Sequence, residues 1–328
     1  YVCPLMLTDS FSAIDRASVF MHEARHIDGY PHITCSKGPR RGLRGACDSR
    51  ISDGGSYAVT VETYAQLGKY ATDLHPALKT YAMASAVVYA DEAFETPARI
   101  NRQESLLLMS KSKDLYSLDP ESAFRTTSLG QTPALGHIVH RAQHAVLFPD
   151  DKSLAARYLF TKNEGEIKQS AGEAVSEYNS QTPEQRSLLV DLHVATQWVA
   201  KIYSDKIRFS CDPNSSSTND VNVHGALGIV YLTGYNRQAP SAHLMTKDGT
   251  VVEFGCTNLK GFVRTSDSKL DSKIIRVHKI NQHLIGLSND GFLFEIVGSQ
   301  LTPITTPIDG QIHEIALKHN YQFSDEAP

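Results

Sequence analysis

The sequence predicts a multidomain α+β chain, a helical part over residues 1–100 followed by an all-β, propeller-like repeat over residues 101–328. Three observations predict it. Apolar residues recur at helical intervals early in the chain, an alanine-rich stretch closes that part, and β-hairpin patterns then repeat at a near-constant spacing.

The first helix is expected over residues 10–28, where Ser12 and Asp15 have capping-box spacing and Ile14, Ala17, Phe20 and Met21 follow on one face. Gly29 is a suitable stop. Residues 32–56 are rich in Gly, Arg, Ser and Asp and read as an extended loop. Helix is expected again near Val61–Thr72 and over Pro76–Phe94, where YAMASAVVYADEAF has high helical propensity.

Beyond residue 100 the period shortens to that of strands. Hairpin tips near Gly165, Lys206, Gly249 and Gly291 are separated by 41, 43 and 42 residues, with a fifth near Lys113. Each runs apolar alternation into an NEG, SDK, KDG or NDG tip and out through Val, Ile or Phe. A repeat of that length in hairpins predicts about five propeller blades.

Composition narrows the function. The chain has 328 residues, 41% hydrophobic and 21% charged, which is ordinary for a globular protein. A net charge of −4 gives no electrostatic basis for binding nucleic acid, and no apolar run is long enough to be a transmembrane segment. A basic cluster, Lys37, Arg40, Arg41 and Arg44, reads as solvated surface.

Five cysteines without a CxxC pair point to disulfides. Cys35 and Cys47 would close a loop with few apolar residues of its own, and Cys211 with Cys256 is the second expected pair, leaving Cys3 over. An oxidising compartment follows, secreted, periplasmic or extracellular. With Tyr1 at its start, the chain reads as mature or trimmed.

The string HEARHIDGYPH, His22 to His32, fills every fixed position of H-E-x-x-H-x-x-G-x-x-H. Residues four apart share a helical face, so His22 and His26 can aim at one Zn²⁺. Glu23 is rotated about a third of a turn away, within reach of a water on the metal, and is the candidate general base. Gly29 permits a sharp turn that returns His32 as third ligand. Three neutral imidazoles leave a fourth position open, as catalytic zinc requires.

Glu62, on a later helix, is the rival third ligand; the turn at Gly29 favours His32. The remaining histidines show no ligand spacing, Trp198 reads as core, and neither a phosphate-binding Gly-rich loop nor a GxSxG elbow is present.

On that string the chain resembles the metzincin zinc endopeptidases. The resemblance implies a zincin-like catalytic domain, zinc held by His22, His26 and His32, water activated by Glu23, and a methionine in a tight turn beneath the metal, for which Met83 is the counterpart. Ser85 stands where many members of that clan carry a tyrosine, and only some 20 residues precede His22, which implies either a reduced fold or an upstream fragment of the same precursor held as a partner.

The function so implied is hydrolysis of protein or peptide bonds, with the repeat domain recognising substrate or surface. The alternatives are a binding or adhesion protein with a structural zinc, and a zinc-dependent amidase acting on cell-wall material.

Overall fold

The computed structural model describes all residues except 1–3, 8–11, 37–39, 41, 97–99, 142–143, 162–164, 170–174, 176–177, 196–197, 212–217, 234–240, 258–259 and 324–328. Cys3 lies outside the described residues.

Three helices lead: α1 (Ala13–Ile27), α2 (Ser56–Tyr70) and α3 (Pro76–Glu92). The α1 start carries both halves of the capping box between Ser12 and Asp15. Asp15 also accepts hydrogen bonds from the buried hydroxyls of Tyr64 at 2.8 Å and Tyr81 at 2.5 Å, tying α1 to the other two helices. Ala82, Ala86 and Ala90 are fully buried at intervals of four, giving α3 a flat face that packs closely on α2. A short parallel pair, β1 (Asp48–Arg50) with β2 (Phe94–Thr96), brackets α2 and α3.

Among the described residues, five four-stranded antiparallel sheets follow. The first holds β3 (Ile100–Ser110), β4 (Asp114–Asp119) and β5 (Arg125–Gln131); the second β6 (Gly136–Arg141), β7 (His144–Pro149), β8 (Ala156–Thr161) and β9 (Gly165–Gln169). The third holds β10 (Leu189–Ala195), β11 (Trp198–Tyr203), β12 (Lys206–Phe209) and β13 (Asn219–Asn222); the fourth β14 (Ala226–Thr233), β15 (Ser241–Thr246), β16 (Thr250–Thr257) and β17 (Lys260–Lys269). The fifth holds β18 (Ile274–Ile280), β19 (His283–Ser288), β20 (Leu293–Val297) and β21 (Gln300–Ile304). Finally β22 (Ile312–Phe323) returns to pair with β3 and completes the first sheet.

The sheets pack face to face around a ring. In β3, Leu106 and Leu108 join a core with Ile285 and Leu287 of the fifth sheet, while Leu107 and Met109 join one with Ile138 and Leu147 of the second. Side chains alternate across a strand, so an unbroken LLLM run serves a blade buried on both faces. Corresponding cores join the second sheet to the third, the third to the fourth and the fourth to the fifth. The propeller-like arrangement is therefore present, and β22 closes the ring.

Four expectations need correction. The chain is mostly β, and its helical part is not a zincin-like domain: only a short turn, Pro4–Leu7, is described before α1, and among the described residues the helical part contributes no strands but β1 and β2. The zinc signature specifies a helix and a turn, which need no upstream sheet; here α2 and β1 support α1 instead.

The α2 helix starts at Ser56, five residues before the expected start, because Gly55 lets the chain pass tightly by Asp48. Met83 lies inside α3, against Gly68 of α2, not in a turn. Last, the hairpin at Gly165 joins β8 to β9, the third and fourth strands of its sheet, whereas those at Lys206, Gly249 and Gly291 join second to third. The matching turn of that sheet is 150–155, and the 41-residue step has no structural meaning.

Both expected disulfides are formed, Cys35–Cys47 and Cys211–Cys256, the second linking the third sheet's side of the ring to β16 of the fourth. Such bonds persist in oxidising surroundings. No described helix is long and apolar enough to cross a membrane.

Candidate metal centre

His22 and His26 project from the last two turns of α1, and Gly29 takes φ 91°, a left-handed conformation that costs little without a Cβ. A Cβ there would meet nothing within 4 Å, so conformation alone calls for glycine. The chain doubles back, with the Tyr30 N–H donating to the Arg25 carbonyl at 3.1 Å, and presents His32 to the helix.

The three rings converge. His22 Nε2 lies 3.0 Å from His32 Nε2, and His26 Nε2 lies 3.1 Å from it. Their opposite nitrogens are all engaged. His32 Nδ1 donates to Asp48 Oδ1 at 2.8 Å, and His26 Nδ1 donates to the Tyr30 carbonyl at 2.8 Å. His22 Nδ1 lies 2.9 Å from Thr60 Oγ1, whose own proton goes to the Ser56 carbonyl at 3.0 Å. A carboxylate, a carbonyl and a hydroxyl already donating can only accept, so in the neutral ring each Nδ1 carries the proton and each Nε2 keeps a lone pair.

The His32 lone pair, 3.0 and 3.1 Å from those of His22 and His26, is repelled by both unless a cation lies among them. Three nitrogens each 2.0–2.1 Å from one tetrahedral ion would sit about 3.3 Å apart. The donor set therefore fits Zn²⁺, with second partners of the kind that orient ligand histidines. Burial, together with the neighbouring His32 and His26 imidazoles, lowers the His22 pKa to about 4 and keeps that ring neutral.

Asp48 is placed with care. Its N–H donates to the Ala93 carbonyl at 2.9 Å, and its Oδ2 accepts the Tyr57 N–H at 2.8 Å, at the N-terminus of α2, where negative charge is favoured. A Cβ on Gly55 would come within 2.6 Å of that oxygen. Tyr57 stacks on His32 at 4.4 Å between ring centroids and meets the edge of His22 at 4.9 Å.

Glu23 is exposed on α1 beside the ligand face, and Glu62 is exposed on α2. Among the described residues, His22, His26 and His32 form the one group of three able to hold a metal, without Glu62. In the basic cluster, Arg40 turns inward, donating to the Ala46 carbonyl and lying over Tyr57 and Tyr89. Lys37 and Arg41 lie outside the described residues.

Sequence reasoning missed Asp48, Thr60, Ser56 and Tyr57, which come from two later segments, β1 and α2, at spacings no motif fixes. The one available signal was local: Asp48 directly follows a cysteine that a disulfide holds in place.

No family model matches the chain, and no curated protein matches it. Among solved structures, a chain of a nidogen/laminin complex is similar at 10% identity over 65% of this chain and 98% of that one, TM-score 0.34. The WD40 domain of SCAP from fission yeast is similar at 14% identity over 60% of this chain and 47% of that one, TM-score 0.29. BamB from Moraxella catarrhalis is similar at 13% identity over 62% and 61%, TM-score 0.27. The chain thus spans about half to three-fifths of the latter two. At these scores the likeness carries no argument about this chain's activity.

Proposed function

We propose that the chain is an exported zinc-dependent peptidase, with His22, His26 and His32 holding the metal and Glu23 as general base. The observation that carries this is the convergence of three Nε2 lone pairs beside an exposed carboxylate. The order of HEARHIDGYPH, shared with the metzincin signature, supports the same reading, although the surrounding fold is different. Both disulfides support export.

Zinc at this site supplies Lewis acidity, lowering the pKa of a water and polarising a carbonyl. The protein's residues do the rest. Asp48, Thr60 and the Tyr30 carbonyl hold the three rings in the ligating tautomer. Glu23, one residue from His22, takes a proton on its carboxylate and returns it to the leaving amine. Phe20 and Ile27 stand three and four residues either side of Glu23 and are 54% and 87% exposed, an apolar edge against which a peptide side chain can lie.

The test pairs metal analysis with hydrolysis of casein or a quenched fluorescent peptide library. One zinc per chain is expected, with activity lost to a chelator. Glu23→Gln should keep the zinc and lose about 10²–10⁴-fold in turnover. A protein that binds zinc but cleaves no peptide would favour a bracing role for the metal; cleavage of cell-wall amides alone would favour the amidase.

A further inference from the structure

The inner strands of the ring, β22, β6, β10, β14 and β18, are its mutual neighbours. Four of them shift register at the same place, between Leu189 and Asp191, Ala226 and Gly228, Ile274 and Arg276, and Ile312 and Glu314. A bulge re-aims the residue that follows it. Here the residues that follow, with His137 near the start of β6, meet in one cluster, one from each blade.

Within it His137 Nε2 donates to Asp191 Oδ1 at 2.9 Å, and Arg276 Nε donates to Glu314 at 3.1 Å. Gly228 makes room, since a Cβ there would fall 2.1 Å from Arg276 Nη1.

The cluster borders a cavity of about 280 Å³ that Phe148, Tyr178, Leu189 and Leu192 also line. Its hydrogen-bond inventory is unbalanced. Both carboxylates already have other donors: Asp191 also accepts from the N–H groups of Leu192 and Ile229, and Glu314 from that of Ile315. Three buried atoms are left without partners: Arg276 Nη1, the hydroxyl of Tyr178, a residue only 2% exposed, and His137 Nδ1, which is a donor in the imidazolium that the Asp191 carboxylate favours. His137 Nδ1 is 3.6 Å from Glu314, too far for a bond. Buried donors without acceptors are costly and rare.

We propose that this cavity binds the carboxylate of a small organic acid. Two oxygens offer the lone pairs that the three donors lack, and an aliphatic tail would lie against Phe148, Leu189 and Leu192. Glu314 begins β22, whereas the helical part joins the ring where Phe323 pairs with Ile100, about 30 Å along that strand. The cavity and the histidine cluster share no residue.

Propionate is the probe, titrated into the full chain and followed by thermal denaturation and by ligand-observed NMR. Saturable binding below about 10 mM is expected, with a rise in Tm of about 3 °C at tenfold saturation. Tyr178→Phe, which removes one oxygen and no packing, should weaken it about tenfold. His26→Ala, which dismantles the metal centre, should leave it unchanged. Absence of saturable binding, equal binding of propionamide, or loss of binding in His26→Ala with retention in Tyr178→Phe would each overturn the proposal, and none of them bears on the peptidase reading.

Discussion

Asp48 is the residue on which the proposed metal centre turns, because one carboxylate fixes the His32 tautomer and the start of α2 together. Asp48→Asn can present its amide nitrogen to Nδ1 and so lose the acceptor; zinc affinity should fall about 10–100-fold, read by competition with a chromogenic chelator. The convergence of His22, His26 and His32 was legible in the sequence because a single helix turn and one glycine bring them together within eleven residues. Asp48, Thr60 and Tyr57 were not, because tertiary packing alone makes them neighbours of those ligands.

The inner ring offers a second test at this scale. Burial alone would lower the His137 pKa, but the Asp191 charge and hydrogen bond outweigh it and raise it to about 9. Burial alone would raise that of Glu314, but Arg276 and then His137 hold it at about 2. Protonated His137 thus stabilises the fold fully below its unfolded value near 6.5, an effect lost as pH rises through 9. Ionised Glu314 stabilises above its unfolded value near 4.5, an effect lost as pH falls toward 2. His278 and His22, which burial lowers to about 4, cost stability as pH falls below their unfolded value near 6.5. Denaturant midpoints should therefore be highest near pH 6.5, and Glu314→Gln should reduce the loss on the acid side.

At the scale of elements, the alanine face of α3 sets the distance to α2, and α2 carries the hydroxyls of Ser56 and Thr60 that hold His26 and His22. Ala86→Leu should force the two helices apart, costing about 1–3 kcal/mol in denaturant unfolding. It should also weaken zinc binding without touching a ligand, whereas unchanged zinc affinity would show that α1 alone holds the metal. The sequence revealed these helices through propensity and spacing. It revealed blades through their turns, yet one tip was matched to the wrong hairpin, since an NEG turn between third and fourth strands reads like one between second and third.

For the molecule as a whole, the closing strand is what local patterns could not show. Nothing in IHEIALKHNYQF distinguishes a strand that pairs with its sequence neighbour from one that pairs with residues 100–110. Its side chains complete two of the inter-blade cores, through Ile312 and Ile315 on one side and Ala316 on the other, and α3 packs against it as well. A chain stopped before Ile312 should lose cooperative unfolding and become sensitive to limited proteolysis throughout, not only in its first sheet.

That arrangement also sets an order of events in the cell. As the polypeptide leaves the ribosome, β3 emerges with one edge bare, and its partner is made some 200 residues later. Until then the nascent molecule carries an open strand edge ready to pair with a stranger. A holding chaperone or passage across a membrane while still unfolded would protect that edge, and either would keep the ring from closing until β22 has been made.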